Sequence, residues 1–178
     1  MTFWKSFFKR RTDIEKIEYI NPNKKNILLI KNFDNNGKNI NIYLNINNNI
    51  NLYDLEKLCD SVGWVRRPIK KVKIAINNSF LIAHLFYYNN NKKKLIGFAR
   101  ATSDNSFNAT IWDVVIHPSF QNKGLGKTLM KQVIKHLRYY DISTITLFAD
   151  PQVTKFYKHL GFVIDPDGVK GMFWYPLQ

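Results

Sequence analysis

The sequence predicts an α/β protein with a mixed central β-sheet and helices on both faces, and three observations lead to this prediction. Apolar, β-branched runs of strand length alternate with stretches whose apolar residues recur every three and four positions. One strand-like run, residues 108–116, leads through a glycine-containing loop into a long amphipathic pattern. The chain has 178 residues, of which 45% are hydrophobic, and this is enough for one folded domain.

The N-terminal part predicts a β-hairpin. Strand-like runs at residues 27–30 and 40–44 flank an Asn-Asn-Gly turn, which favours a tight reversal of the chain. The abundance of asparagine over residues 21–51 is typical of an AT-rich genome, and composition of this kind says little about chemistry. We therefore predict a peripheral N-terminal extension at residues 1–51 and a main domain at residues 52–178.

The elements of the main domain follow from periodicity and from glycine positions. Helices are predicted at residues 52–62, 70–77 and 124–140, and strands at residues 79–88, 94–103, 108–116 and 145–150. The aromatic run Met172-Phe173-Trp174-Tyr175 predicts a terminal strand that also closes the side where a substrate would enter.

Composition excludes several classes of protein. No apolar run approaches the length of a membrane span, and Cys59 is the only cysteine, so neither an internal disulfide nor a cysteine-rich metal site is expected. The formal net charge of +14 would attract nucleic acid or an acidic surface. The lysines, however, are scattered among asparagine-rich loops and form no aromatic-interleaved stripe, so nucleic acid is not the expected partner. Binding of a small ligand with several phosphates is another explanation for the positive net charge.

The most informative stretch is the segment that follows the predicted strand 108–116. It reads Gln121-Asn122-Lys123-Gly124-Leu125-Gly126-Lys127, which is a Q-x-x-G-x-G pattern at the start of a helix. Glycine lets the backbone approach an anion closely, and the unpaired N–H groups at a helix start favour a pyrophosphate. A Gly-x-Gly pair also occurs in turns for steric reasons alone. The dinucleotide fingerprint and the P-loop spacing are both absent, so a different phosphate carrier is expected.

A second sequence pattern narrows the identity of the phosphate-bearing ligand. The buried strand pattern at residues 145–150 is followed by Phe156-Tyr157 and then by Gly161-Phe162. Together with the glycine loop, this run resembles the GNAT acetyltransferase superfamily, in which a splayed strand pair holds the pantetheine of acetyl-CoA and the loop binds its pyrophosphate. The resemblance implies the GNAT fold, with acetyl-CoA as co-substrate and no metal. It assigns coenzyme binding to Val114, Val115, Ile116, Gln121, Asn122, Lys123, Gly124, Leu125, Gly126, Lys127 and Asp150.

Further motifs narrow the resemblance to one branch. They are LCDSVGW at 58–64, LIGFARATSD at 95–104, NATIWD at 108–113 and DPDGVKGMFWYP at 165–176. They are similar to plastid and cyanobacterial acetyltransferases often described as serotonin N-acetyltransferases. The branch implies an arylalkylamine such as serotonin, or protein lysines and N-terminal amines, as the acceptor. Because relatives often pair and the chain end is aromatic, a homodimer is also expected.

The branch also bears on location. It implies the plastid stroma, with a cyanobacterial cytoplasm as the alternative. The basic, aromatic start at residues 1–11 is too short for a secretory signal, and the Ser-rich leader of organelle import does not follow it. A plastid location therefore predicts that the protein is made inside the plastid.

Acetyl transfer to an amine requires a neutral amine, stabilisation of the developing oxyanion and a proton for the thiolate. The resemblance makes Tyr157 the acid, because it occupies the tyrosine of the Phe-Tyr pair. Asp113 is our candidate for the base, since it precedes the strand segment that would pair with pantetheine; alternatively its carboxylate bonds the backbone. Asp165 and Asp167 could instead attract the cationic amine, and His117 is interpreted as a loop residue.

One departure from the family pattern and one alternative function remain. Asp150 stands where many members carry asparagine, which removes an amide donor near the coenzyme but keeps an acceptor. The alternative function is a basic binding or regulatory module that keeps the fold with little catalysis. The intact glycine loop together with Tyr157 favours the enzyme, since a regulatory module needs neither.

Overall fold

The computed structural model describes residues 26–174, so the basic start at residues 1–11 and the aromatic Tyr175 lie outside the described residues. The described residues fall into two compact units. Residues 26–148 form the sheet unit, and residues 149–174 belong to the C-terminal unit. None of the described helices is long and apolar enough to cross a membrane.

The sheet unit contains one six-stranded mixed sheet. Its strands are β1 (Ile27–Asn35), β2 (Lys38–Asn45), β3 (Leu81–Asn89), β4 (Lys92–Ser103), β5 (Asn108–Ile116) and β6 (Thr144–Leu147). The spatial order follows the chain order from β1 to β6. Successive strands from β1 to β5 are antiparallel to one another, whereas β6 is parallel to β5. The mixed sheet predicted from the sequence is therefore confirmed.

The N-terminal hairpin is part of this sheet. Its turn is formed by Asn36 and Gly37, which both have positive φ (55° and 81°), as a two-residue hairpin loop with right-handed strand twist requires. The backbone N–H of Gly37 also donates to Oδ1 of Asp34 at 2.8 Å. Strand β2 pairs with β3, with Tyr43 opposite Phe86. The hairpin thus supplies two of the six strands.

Helices cover both faces of the sheet. They are α1 (Leu52–Ser61), α2 (Ile69–Asn77) and α3 (Leu125–Tyr139). The side chain of Asn51 caps α1 by accepting from the backbone N–H groups of Tyr53 and Asp54. A hydrophobic core cluster joins α1 and α2 to β3, β4 and β5: Leu55, Leu58, Ile76, Ile82, Phe98 and Val115. Cys59 is half-buried on α1 and packs against this cluster, as expected for a small apolar side chain.

The C-terminal unit is short and irregular. Its described residues, 149–174, contain one helix, α4 (Thr154–Lys158), and isolated 3₁₀ turns at Pro151–Val153 and Pro166–Gly168. The terminal strand predicted at Met172 and beyond is absent over residues 172–174, and the side chains of Met172 and Trp174 are 94% and 84% exposed. Alternating aromatic residues suit a strand, but a strand forms only where an edge pairs with it, and no described strand does so here.

Candidate active site

Strands β5 and β6 part about halfway along β5. Their parallel pairing begins at Asn108 and Thr144 and ends where Ile111 lies opposite Leu147. Strand β5 continues to Ile116, so the segment 112–116 has β4 on one side and no paired strand among the described residues on the other. Unpaired backbone donors and acceptors along a strand edge can bind an extended ligand in place of a strand. Val114, Val115 and Ile116 lie in this open segment.

A β-bulge at Asp113 shapes the same segment. Opposite β4, the partners change from Trp112–Arg100 to Val115–Phe98, so β5 holds one more residue than β4 over this stretch. Asp113 has a φ of 54°, a conformation that aspartate tolerates better than most residues. The bulge turns the strand locally and fixes the direction of the Asp113 side chain.

The carboxylate of Asp113 lies between two arginines. Nη1 of Arg67, from the loop between α1 and α2, donates to Oδ1 at 3.0 Å, and Nε of Arg100, from β4, donates to Oδ2 at 2.5 Å. The Asp113 side chain is largely buried, whereas that of Arg67 is partly exposed. Asp113 thus bonds side chains rather than the backbone, and Arg67 is the more accessible of its two partners.

Two aromatic side chains lie where the strands part. The ring centroids of Trp112 and Phe148 are 5.5 Å apart, and both side chains keep substantial exposure. Nε1 of Trp112 donates to Oγ1 of Thr102 at 3.0 Å, which fixes the indole. Sequence reasoning did not select these two rings as site residues. No sequence signal could have identified them, because the point where β5 and β6 cease to pair is set by the tertiary structure.

The segment 121–127, here called the coenzyme loop, joins the end of β5 to α3 and is anchored to that strand end. Phe120 ends a 3₁₀ turn capped by His117, whose Nδ1 accepts from the N–H of Ser119 at 3.3 Å. The side-chain amide of Gln121 donates to the carbonyl of Ile116 at 2.9 Å, which fixes the loop to the end of β5. Gln121 therefore holds the loop in place through its side chain.

The start of α3 is suited to a phosphate group. Its N-cap is Gly124, with φ at 80°, and no side chain caps the first N–H groups of the helix. Uncapped N–H groups carry partial positive charge, and Lys127 adds a full charge in the first turn. A Cβ atom built on Gly124 would meet nothing within 4 Å, so the surface above it is open. This arrangement fits a pyrophosphate.

Tyr157 and Asp150 lie in the C-terminal unit. Tyr157 is on α4, and its ring makes edge contacts with Phe156 and Phe162, with centroids 5.0 and 6.0 Å away. Burial and the carboxylate of Asp150 both raise the pKa of the Tyr157 phenol. The phenol therefore keeps its proton over a wider pH range, as a proton donor must.

The predicted site residues thus occupy two units. The sheet unit brings together Asp113, the open segment 114–116 and the coenzyme loop, while Tyr157 and Asp150 belong to the C-terminal unit. Asp165, an alternative attractor of the amine, is ion-paired with Lys170. Sequence reasoning also missed Arg67 and Arg100, although both occur within or beside the quoted motifs.

Comparison with known proteins gives a consistent result. The sequence profile of the Acetyltransferase (GNAT) family matches residues 49–162. The chain is 66% identical to an uncharacterized N-acetyltransferase, ycf52, of Gracilaria tenuistipitata var. liui, over 99% of this chain and all of that one. It is 49% identical to GCN5-related N-acetyltransferase 2, chloroplastic, of Arabidopsis thaliana, over 71% of this chain and 55% of that one. An acetyltransferase structure from Streptococcus pneumoniae, a GNAT family protein, superposes with a TM-score of 0.62 at 23% identity, covering 77% of this chain and 99% of that one.

Proposed function

The chain belongs to the acetyltransferase (GNAT) family, and from this premise we propose that it transfers an acetyl group from acetyl-CoA directly to a primary amine in a ternary complex. The observation that carries the proposal is the combination of the open β5 segment with the uncapped start of α3. Together they offer a strand edge for an extended chain and, directly after it, a site for its phosphates.

The residues assigned to acetyl-CoA divide between these two features. The backbone of Val114, Val115 and Ile116 would hold the pantetheine, and the backbone N–H groups of the coenzyme loop would hold the pyrophosphate. Lys123 and Lys127 add positive charge, and Asp150 offers a hydrogen-bond acceptor. When bound, acetyl-CoA supplies the activated acetyl group, and the chain supplies binding, orientation and proton transfer.

Proton transfer is assigned to two side chains. An alkyl amine with a pKa near 10.4 is almost fully protonated at neutral pH, and removing that proton corresponds to roughly 4 kcal/mol at three pH units. Asp113 would accept this proton, directly or through a water, while its two arginine partners hold the carboxylate in one orientation. Tyr157 would donate a proton to the thiolate, since its phenol stays protonated.

The acceptor and location follow from the family branch. We propose an arylalkylamine such as serotonin, or protein lysines and N-terminal amines, as acceptor, and the plastid stroma as the place of action. The aromatic pair Trp112 and Phe148 supports an acceptor with an aromatic ring, because exposed rings bind flat apolar groups well. Residues 52–178 are proposed as the acetyltransferase domain; the family match begins at residue 49.

The proposal is tested by incubating the protein with acetyl-CoA and serotonin and, separately, with a library of lysine peptides. Release of free CoA thiol together with an acetylated amine of the expected mass is the predicted result. Matched reactions without the protein serve as the control for non-enzymatic acetylation. Binding of acetyl-CoA without turnover of any amine would favour the regulatory module instead.

We also propose a homodimer, because the described end of the chain exposes Met172, Phe173 and Trp174. Exposed apolar surface of this kind is usually covered in the working assembly. Light scattering at micromolar protein should give about twice the chain mass of 21.0 kDa. A single-chain mass would reject the proposal.

A further inference from the structure

We infer that the turn of the N-terminal hairpin is a positioning element of the coenzyme site: Asn35 and Asn36 act through the side chain of Lys123 on the binding of the coenzyme phosphates. The inference rests on the proposed function, because it concerns the same coenzyme loop. The hairpin lies before residue 49, where the family match begins, so the shared family pattern does not assign it this role.

The first observation is a direct bond between the turn and the coenzyme loop. Nζ of Lys123 donates to Oδ1 of Asn35 at 3.3 Å and to Oδ1 of Asn36 at 3.2 Å. These residues are almost ninety positions apart in the chain, so the contact is tertiary. It selects one direction for a long side chain that would otherwise sample many rotamers.

The second observation is an aromatic contact that holds the turn against the loop. The ring of Phe33, on β1, stacks on the ring of Phe120 with centroids 6.2 Å apart. Phe120 is buried, also contacts Tyr87 at 5.6 Å, and immediately precedes the coenzyme loop. The turn and the loop are therefore joined by an apolar contact as well as by the lysine, and they form one packed end of the sheet unit.

The two groups that accept hydrogen bonds from Lys123 are the neutral side-chain amides of Asn35 and Asn36. Amide oxygens accept hydrogen bonds from an ammonium group but bring no negative charge, so Lys123 keeps its full charge for an anionic ligand. A carboxylate at either position would neutralise it. The backbone on both sides of Lys123 is also constrained, since Asn122 and Gly124 have φ values of 58° and 80°. A charge held ready in one place binds an anion more tightly than a mobile one, because less conformational entropy is lost on binding.

The inference predicts that the turn affects coenzyme binding only through Lys123. The turn variant combines Asn35→Ala with Asn36→Gly, since glycine keeps the positive φ of position 36. Calorimetric titration with acetyl-CoA should show binding weakened about threefold to tenfold in the turn variant and at least as much in Lys123→Met. The variant that carries all three substitutions should bind no more weakly than Lys123→Met.

Salt dependence and a control turn complete the experiment. Lys123→Met should flatten the dependence of the dissociation constant on salt, because one cation no longer faces the phosphates. Asn91→Gly, in the β3–β4 turn, is the matched control: its φ is also positive, at 59°, and its side chain makes no hydrogen bond among the described residues. It should bind acetyl-CoA like the wild type.

The outcomes distinguish this inference from the proposed function. If the turn variant binds like the wild type, or weakens binding equally with and without Lys123, the positioning role is wrong. If the wild-type protein itself does not bind acetyl-CoA while remaining folded in thermal denaturation, the proposed function fails instead.

Discussion

The two sides of the sheet differ in how their strands pair. From β1 to β4 every pairing is antiparallel, although the β1–β2 and β3–β4 ladders contain register shifts and β2 pairs with β3 at only three positions. These strands carry the buried core residues Ile42, Leu85 and Phe98. At β5 the ladder is interrupted by the bulge at Asp113, and β6 pairs with only the first part of the strand. Stability and binding are therefore expected to depend on different sides of one sheet.

This difference predicts which property of the protein a substitution should change, and mutagenesis can test it. Substitutions at the open side, from Asp113 to the coenzyme loop, should change binding or catalysis more than the free energy of unfolding. Substitutions in β1 to β4, here called the paired side, should change the free energy of unfolding more than binding or catalysis. The predictions below run from the largest expected effect to the smallest, and each is followed by any further variant that tests the same group.

The largest effect is expected for Gly124→Ile in the coenzyme loop. A β-branched residue at a φ of 80° is strained, and its side chain would occupy the open surface above the helix start. We expect acetyl-CoA affinity to fall by about a hundredfold or more in calorimetric titration. Gly126→Ile should also weaken binding severely, through intrusion of the side chain into the phosphate site.

The control for this prediction is Gly63→Ile. Gly63 has a similar φ of 77° and follows α1, away from the coenzyme loop in sequence and element. It carries the same backbone strain and should leave acetyl-CoA affinity within about twofold of the wild type. Equal losses in both variants would mean that strain, rather than the phosphate site, explains the effect.

Tyr157→Phe should lower turnover by about tenfold to a thousandfold while acetyl-CoA affinity stays nearly constant. The substitution removes the proton donor and keeps the ring packed against Phe156 and Phe162. The measurement is kcat, with chemistry shown to be rate-limiting, over pH 6 to 10. Tyr53→Phe, at an exposed tyrosine of α1, is the matched control. Full turnover in Tyr157→Phe across this range would remove Tyr157 as the acid.

Asp150→Asn tests the environment of the same phenol. Because the Asp150 carboxylate raises the pKa of Tyr157, removing that charge should lower the phenol pKa. The phenol would then lose its proton at a lower pH, so the alkaline decline of kcat should move to lower pH. An unchanged profile would show that the carboxylate has no influence on the reacting proton.

Asp113→Asn should lower the rate about tenfold to a hundredfold at pH 6 and progressively less as pH approaches the pKa of the amine. At low pH the amine's proton must be removed by a base, whereas at high pH the amine is already neutral. Asp141→Asn is the matched control. Asp141 is exposed, and its φ of 58° is close to the 54° of Asp113, so this variant makes the same substitution in a similar backbone conformation. A constant ratio to wild type across the range would point to a water relay that does not need Asp113.

The smallest effect on activity is expected in the paired side, at His84 on β3. Its side chain is 1% exposed, and burial, with a contribution from Lys93, lowers its pKa to about 3. Below pH 6.5 the His84 imidazole is protonated in the unfolded chain but stays neutral in the native state. The free energy of unfolding should therefore fall as pH decreases from 6.5 toward 3. The expected loss of unfolding free energy is about 1.4 kcal/mol per pH unit. Urea titrations at pH 7 and 4.5 measure it: between these two pH values the wild type should lose about 2 to 3 kcal/mol more than His84→Leu does.

At pH 7 the same His84→Leu variant should keep acetyl-CoA affinity and turnover close to wild type. His159→Gln, at an exposed histidine, should show no such difference in acid stability. A large loss of activity in His84→Leu without loss of stability would break the separation between the two sides of the sheet.

Much of the fold could be predicted from local patterns. The hairpin follows from an Asn-Asn-Gly turn between two β-branched runs, and α3 follows from apolar residues at three- and four-residue spacing before residue 137. The coenzyme loop follows from its glycines and its place between strand and helix. In each case, conformational preference and burial pattern are properties of neighbouring residues.

The terminal strand shows where local pattern fails. Residues 172–174 have the aromatic composition of a strand but form none, because pairing depends on whether a free edge lies within reach. The N-terminal hairpin shows the opposite case, since its asparagines were attributed to genome composition and yet two of them bond Lys123. Composition could not reveal this, because the partners are distant in sequence.

The sequence by itself thus determined the order of β1 to β6 and of α1 to α3, the family and the candidates for catalysis. Only the tertiary structure decided that Asp113 lies between Arg67 and Arg100, that β5 parts from β6 after Ile111, and that the hairpin turn meets the coenzyme loop. The physical reason is that helices and turns depend on nearest neighbours, whereas these contacts depend on strand register, bulges and packing between distant segments.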